Sequence, residues 1–251
     1  MSEETVYGVH AVRALLNRRP ADVQRLVLQA GRNDKRVQEL VELARTHGVK
    51  VESRPIAELD TLAPGQVHQG IIARVTAAAP LDEDDLLIRI DALGRPPLLL
   101  VLDGVQDPHN LGACLRSADA VGADAVIVPR DRATGLTPVV RKVAAGAAET
   151  VPFVQVTNLA RFLRALKEQA VWIVGTDGEA ETLHYAADLK GPLALVLGAE
   201  GAGMRRLTRD HCDVVVKLPM LGAVESLNVS VAAGVMLYEA LRQRGTVAAS
   251  R

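Results

Sequence analysis

Asn110 and Arg116 lie six residues apart in the run Asp107-Pro108-His109-Asn110-Leu111-Gly112-Ala113-Cys114-Leu115-Arg116, and between them they offer an amide and a planar cation. A guanidinium beside a helix N-terminus suits a phosphate or a carboxylate, because its fixed fork of donors adds to the backbone amides the first turn leaves free. The run follows a wholly apolar stretch, 98–102, that reads as a buried parallel strand. Pro108 pushes Asp107 out of helical geometry, so a helix is expected to open near Asn110, with Asn110 as its cap and Leu111, Leu115 and Ala118 as its apolar face. Helical side chains lean toward the N-terminus, so Arg116 is expected to reach back over Gly112 and Ala113, whose small size leaves room for a ligand. A plainer reading stands beside this one: Asn110 only caps, and Arg116 only pairs with a neighbouring acid.

Three more strand ends run into loops of unusual composition. Gly175-Thr176-Asp177-Gly178 follows one, and Gly198-Ala199-Glu200-Gly201-Ala202-Gly203 follows another, with glycines that let backbone groups come close to a ligand. The third, Leu218-Pro219-Met220-Leu221-Gly222-Ala223-Val224-Glu225-Ser226-Leu227-Asn228, leads into the final helix, where Ser226 and Asn228 also read as caps. None is a Walker loop, and none has the glycine spacing of a dinucleotide site. That counts against a nucleotide- or nicotinamide-dependent metabolic enzyme, the main rival reading for alternating strands and helices.

These loops must be held by an ordinary α/β interior. The chain has 251 residues, 49% of them hydrophobic but only 2% aromatic, so the core is built from Ala, Val and Leu. No apolar run reaches the length of a membrane span, and Met1-Ser2-Glu3-Glu4 lacks the basic start of a signal peptide. Cys114 and Cys212 match no metal spacing and read as reduced thiols; with six scattered histidines this predicts a cytoplasmic protein without a metal site. The net charge is −1, yet residues 1–75 carry eleven Lys/Arg against nine Asp/Glu. A weakly basic first part permits contact with nucleic acid.

Residues 1–75 are expected to form a small α/β domain, with helical pattern over 8–16 and 36–47 and strands over 25–29, 49–51 and 70–75. Residues 76–96, acidic at Asp82-Glu83-Asp84-Asp85 and bounded by Pro80 and Pro96, read as a linker, with 86–90 as one helical turn. Residues 97–251 alternate strand and helix and predict a parallel sheet covered on both faces, closed by a helix over 228–242.

Asn110 with Arg116, the Leu197-Gly198-Ala199-Glu200-Gly201 loop, and Leu218-Pro219-Met220 with Ser226-Leu227-Asn228 occur in the order of the three signature motifs of the SpoU family. The chain therefore resembles these RNA 2′-O-ribose methyltransferases of the SPOUT superfamily, over about 97–243. The first 75 residues resemble the family's ribosomal-protein-like RNA-binding extension. The full arrangement is most similar to the bacterial enzymes that methylate a guanosine ribose in 23S ribosomal RNA; transfer RNA is the alternative substrate. The resemblance implies a parallel-sheet domain with a deep C-terminal trefoil knot, an exception to unknotted connections, and a homodimer with the final helix at its interface. It implies S-adenosylmethionine held by Thr176, Gly198, Leu218, Met220 and Leu227. It assigns catalysis to Arg116 with Asn110, Glu200, Ser226 and Asn228. Retention of all five polar positions argues against an RNA-binding module that has lost its chemistry.

Overall fold

The computed structural model describes residues 3–76, 81–199, 201 and 203–245, which fall into two compact units. The first contains β1 (Glu3–Tyr7), α1 (Val9–Arg18), β2 (Val23–Gln29), α2 (Lys35–Thr46), β3 (Lys50–Arg54), α3 (Ile56–Leu62) and β4 (Ile71–Thr76). Its sheet has the order β1-β4-β2-β3, with β2 and β3 parallel and β4 antiparallel to both its neighbours. The amphipathic helices α1 and α2 bury Val12, Leu15, Leu16 and Leu40 on one face of this sheet, while Leu59 of α3 packs with Val27 and Ile72 on the other. Asp34 begins α2 by accepting from the amides of Arg36 and Val37. Ala145–Thr150, a piece of the later sequence, also belongs to this unit. There Gly146, at φ 102°, lies so close to α1 that a Cβ would meet Ala14 and the His10 carbonyl at 3.0 Å.

The second unit continues with α4 (Glu83–Asp91), β5 (Leu98–Asp103), α5 (Pro108–Val121), β6 (Ala125–Pro129), α6 (Pro138–Ala144), β7 (Phe153–Val156) and α7 (Leu159–Glu168). After these come β8 (Trp172–Thr176), β9 (Thr182–Leu183), β10 (Leu193–Gly198), α8 (Arg206–Asp210), β11 (Val214–Lys217) and α9 (Val229–Gln243). All seven strands are parallel, in the order β7-β6-β5-β10-β8-β11-β9. Thus β10 enters between β5 and β8, and α9 returns to pack on α5 and β10. Every residue of β5 and β6 is buried, as a sheet covered on both faces requires.

Three local expectations are revised. The segment read as a linker holds a nine-residue helix, α4, because its acids form a capping box: Asp82 Oδ1 accepts from the Asp85 amide at 2.9 Å. Leu86 and Ile90 then enter the core beside Val154 and Phe162, so this helix belongs to the second unit. Asn110 does not cap α5; Asp107 does, accepting from the His109 amide at 3.0 Å, since Pro108 occupies the first helical position and moves the cap one residue ahead of it. Gly112 leaves no room for a ligand, because a Cβ there would lie 2.6 Å from Val143 Cβ and 3.0 Å from the Val140 carbonyl. The small residue lets α6 press against α5. Among the described residues no helix is long and apolar enough to cross a membrane.

Candidate active site

Four neighbouring strands, β5, β10, β8 and β11, deliver their C-terminal ends to one edge of the parallel sheet, where open α/β sheets bind ligands. A cavity of about 1160 Å³ opens there. Its walls are the loop after β8, the loop after β10 and the long loop from β11 to α9. Thr176, Gly198, Leu218, Met220 and Leu227, distant in sequence, all line it.

Each wall is fixed by local chemistry. Thr176 donates through Oγ1 to the Val196 carbonyl, the Asp177 amide donates to the Val216 carbonyl, and the Asp177 carboxylate is paired with Arg209. Beyond β10, Ala199 and Gly203 exchange two backbone hydrogen bonds of 3.1 and 2.9 Å and close a tight loop. Only glycine is possible at 198, since a Cβ would fall 2.1 Å from the Gly203 carbonyl carbon. The third wall is open: residues 221–228 are exposed, with Leu221 99% accessible.

Asn228 ends that loop and caps α9, its Oδ1 accepting from the Ser230 amide at 2.9 Å and the Ser230 hydroxyl at 2.6 Å. Its Nδ2 donates to Oδ1 of the buried Asn110 at 2.9 Å. One hydrogen bond thereby joins residues 118 apart and brings α5 to the cavity rim. Ser226 also lines the cavity. Glu200 falls outside the described residues.

The outcome for Arg116 differs from the expected reach toward Asn110. At about 100° per residue, six residues put the two side chains on different faces of α5. Asn110 is buried toward α9, whereas Arg116 is exposed, lies outside the cavity lining and has no hydrogen-bond or ion-pair partner among the described residues. Among the described residues no acid pairs with it, which also departs from the plainer reading.

Residues 97–238 match the SpoU rRNA Methylase family, and residues 5–81 match a family described as RNA 2′-O ribose methyltransferase substrate binding. The chain belongs to the SpoU rRNA methylase family. Similar proteins include a 23S rRNA (guanosine-2′-O-)-methyltransferase of Pseudomonas syringae, 58% identical over 241 residues and 96% of each chain. The corresponding Escherichia coli K12 protein is 54% identical over 96% of this chain and 99% of its own. Among solved structures, the SpoU methyltransferase AviRb from Streptomyces viridochromogenes, in complex with the cofactor AdoMet, matches with a TM-score of 0.76 at 28% identity, over 97% of this chain and 91% of that one. The order in which β10 enters the sheet is that of the knotted SPOUT fold.

For a SpoU protein the cofactor is S-adenosylmethionine, and the donor set of the cavity fits it. Leu197, Leu218, Met220 and Leu227 supply apolar surface suited to an adenine ring, while Glu179 and Glu225 against Lys217 give an acidic excess suited to a cationic ligand.

One pair was not foreseen. Asp103, the last residue of β5, has a fully buried carboxylate; Oδ2 accepts from the Arg205 amide at 2.9 Å, and Oδ1 receives the Arg205 guanidinium at 2.6 Å. It clasps the far end of the 199–204 loop to the strand that leads into α5. The signal was present in the sequence: an acid ending a strand otherwise wholly apolar demands a partner.

Proposed function

We propose that this SpoU protein methylates the ribose 2′-hydroxyl of a guanosine in 23S ribosomal RNA, using S-adenosylmethionine. The observation that carries the reading is the Asn228–Asn110 hydrogen bond, which sets the first motif at the rim of a cavity built by the other two. Bound there, the cofactor supplies a methyl group already activated by its sulfonium, so the protein has to orient a hydroxyl and see one proton removed. Asn228 and Asn110, locked to each other and to the start of α9, form a fixed polar rim against which a ribose is held. Ser226 extends that rim, Glu200 shares in catalysis as the family resemblance implies, and Thr176, Gly198, Leu218, Met220 and Leu227 hold the cofactor.

Arg116 binds the substrate's ribose-phosphate. Its exposure and its lack of a partner among the described residues support that role. A guanidinium is a poor proton acceptor at neutral pH, so the proton leaves to phosphate or water while Arg116 clamps the charge. The first unit, residues 1–75 in the sequence-based division, selects the RNA, and the enzyme works in the cytoplasm. Val231, Val235 and Tyr238, exposed at i, i+4 and i+7 on α9, support a homodimer formed through that helix.

Methyl transfer to 23S rRNA by the purified protein, with mapping of the modified ribose, tests the reaction; marks on transfer RNA alone would overturn the substrate. Arg116→Ala is expected to lower turnover at least 1000-fold while calorimetry finds unchanged cofactor affinity. Retained turnover would remove Arg116 from the reaction.

A further inference from the structure

The loop 130–137, between β6 and α6, belongs to none of the three motifs, yet it leaves the same sheet edge as the cavity. Its base is fixed where the Arg130 amide donates to the Val156 carbonyl at 2.9 Å. Its middle is tied to the first-motif loop, where the Thr134 amide donates to the Val105 carbonyl at 3.1 Å. Gly104, at φ 89°, is the point of contact: a Cβ there would stand 3.6 Å from Ala199 Cβ, in the cavity wall, and 3.9 Å from the Arg132 carbonyl. The loop is thus held one glycine away from the cofactor cavity.

Two features of this loop do nothing for the fold. Arg132 sits in the left-handed region at φ 58°, a conformation that strains any residue with a Cβ and that glycine would adopt freely. Arg130 and Arg132 are both exposed and make no hydrogen bond or ion pair through their side chains among the described residues, although Asp131 stands between them and could neutralise either. A strained, tethered turn that presents two uncompensated guanidinium groups at the sheet edge where the cavity opens is a feature built for an anion outside the protein.

We propose that Arg130 and Arg132 grip phosphodiesters of the RNA strand that flanks the target ribose, as a clamp separate from Arg116. The proposal rests on the RNA-methyltransferase reading above and adds to it a contact outside the three motifs. Fixing the strand on the side of the first-motif loop limits how far the target ribose can swing from the Asn110–Asn228 rim. Because the contact is to backbone, it contributes affinity and register rather than base choice.

The test uses the full-length protein and in-vitro-transcribed 23S rRNA. Arg132→Gly removes the charge and also relieves the backbone, so its thermal midpoint is expected to be unchanged or higher, and any loss cannot be unfolding. It is expected to raise KM for RNA about tenfold, with kcat and cofactor affinity within twofold of the parent. The slope of log affinity against log salt should flatten by about 0.7, the value for one single-strand phosphate contact. Arg132→Lys, which keeps the charge, is expected to recover most of the affinity, and Arg130→Gln combined with Arg132→Gly to raise KM about a hundredfold. An unchanged KM and salt slope in Arg132→Gly would overturn the proposal, as would a loss confined to kcat. Filter retention of the same RNA is measured without turnover. A parent protein that binds RNA but transfers no methyl group therefore sinks the functional reading, while the salt slope still decides the clamp.

Discussion

The two edges of the seven-stranded sheet are built from the same parallel strands and treat their backbone in opposite ways. At the N-terminal edge, side chains consume the exposed backbone groups. Asp124 accepts from the Leu98 amide and from both terminal nitrogens of Arg95; Asp213 accepts from the Ile173 amide and pairs with Lys167 at 2.8 Å. Arg244, just beyond α9, donates to the carbonyls of Leu189, Pro96, Pro97 and Gly191. At the C-terminal edge the loops surround a cavity, and the exposed loop 221–227 is left to solvent. One edge satisfies itself and the other keeps its hydrogen bonds for a ligand. Substitutions at the closed edge should therefore cost stability and spare catalysis, and those at the open edge the reverse.

After Arg116→Ala, Asn228→Ala gives the largest expected departure. It removes the cap of α9 and the tie to Asn110, worth about 1–2 kcal/mol of stability as a lost cap, but its main effect falls on turnover. A fall of at least 100-fold in kcat is expected, read by methyl transfer to 23S rRNA at a temperature where the variant is fully folded. If kcat survives, the rim is only a helix cap and the contrast between edges weakens. Asp103→Ala is intermediate, because this residue lies at the open edge but behaves like the closed one. Arg205 is 43% accessible and can return to water, so the loss should be about 2 kcal/mol, below the usual cost of breaking a buried pair. The loosened 199–204 loop should also weaken cofactor binding several-fold, as calorimetry would show. Equal cofactor affinity would reduce Asp103 to a purely structural anchor.

Arg244→Ala examines the closed edge. Burial works against the charge of this guanidinium and the nearby Asp124 favours it, yet four carbonyls converge on it. Their loss should lower stability by about 2–3 kcal/mol in urea unfolding. Because the cavity lies at the opposite edge, kcat and cofactor affinity should remain within twofold of the parent. A catalytic defect of tenfold or more would show that the two edges are coupled.

The distinction between the edges was only partly legible in the sequence. The apolar run 98–102 announced a buried parallel strand because nothing but burial explains it, and the helical pattern over 36–47 announced α2. The five residues expected to hold the cofactor converge on the cavity, since their motif order carried information that spacing lacked. Side-chain partners across long separations were not legible. The Asp103–Arg205 clasp spans 102 residues, and the contact of Gly112 with α6 depends on how two helices dock. Likewise, an acidic run such as Asp82-Glu83-Asp84-Asp85 reads equally well as a solvated linker or as a capped first turn until Leu86 and Ile90 are seen to have a core to enter.

The smallest expected effect concerns the two thiols, and it bears on what a methyl-donor protein must exclude. Burial alone pushes Cys114 up to about 12; Cys212, also raised to about 12 chiefly by burial, feels Lys167 and Asp213 as secondary influences. Both stay protonated at neutral pH, so neither offers a thiolate that could compete with the ribose for an alkylating cofactor. In the unfolded chain each would ionise near 9. The folded state therefore holds more protons between pH 9 and about 12; the thiols' contribution is fully present below pH 9 and is lost as the pH rises through that window. At pH 10 each thiol should account for about 1.4 kcal/mol of the destabilisation relative to pH 7. Urea unfolding at both pH values, in the parent and in Cys114→Ala, measures it. Packing loss lowers the variant at both pH values equally, so the expected signature is a shallower alkaline decline, and identical declines would show that Cys114 already ionises in the folded state.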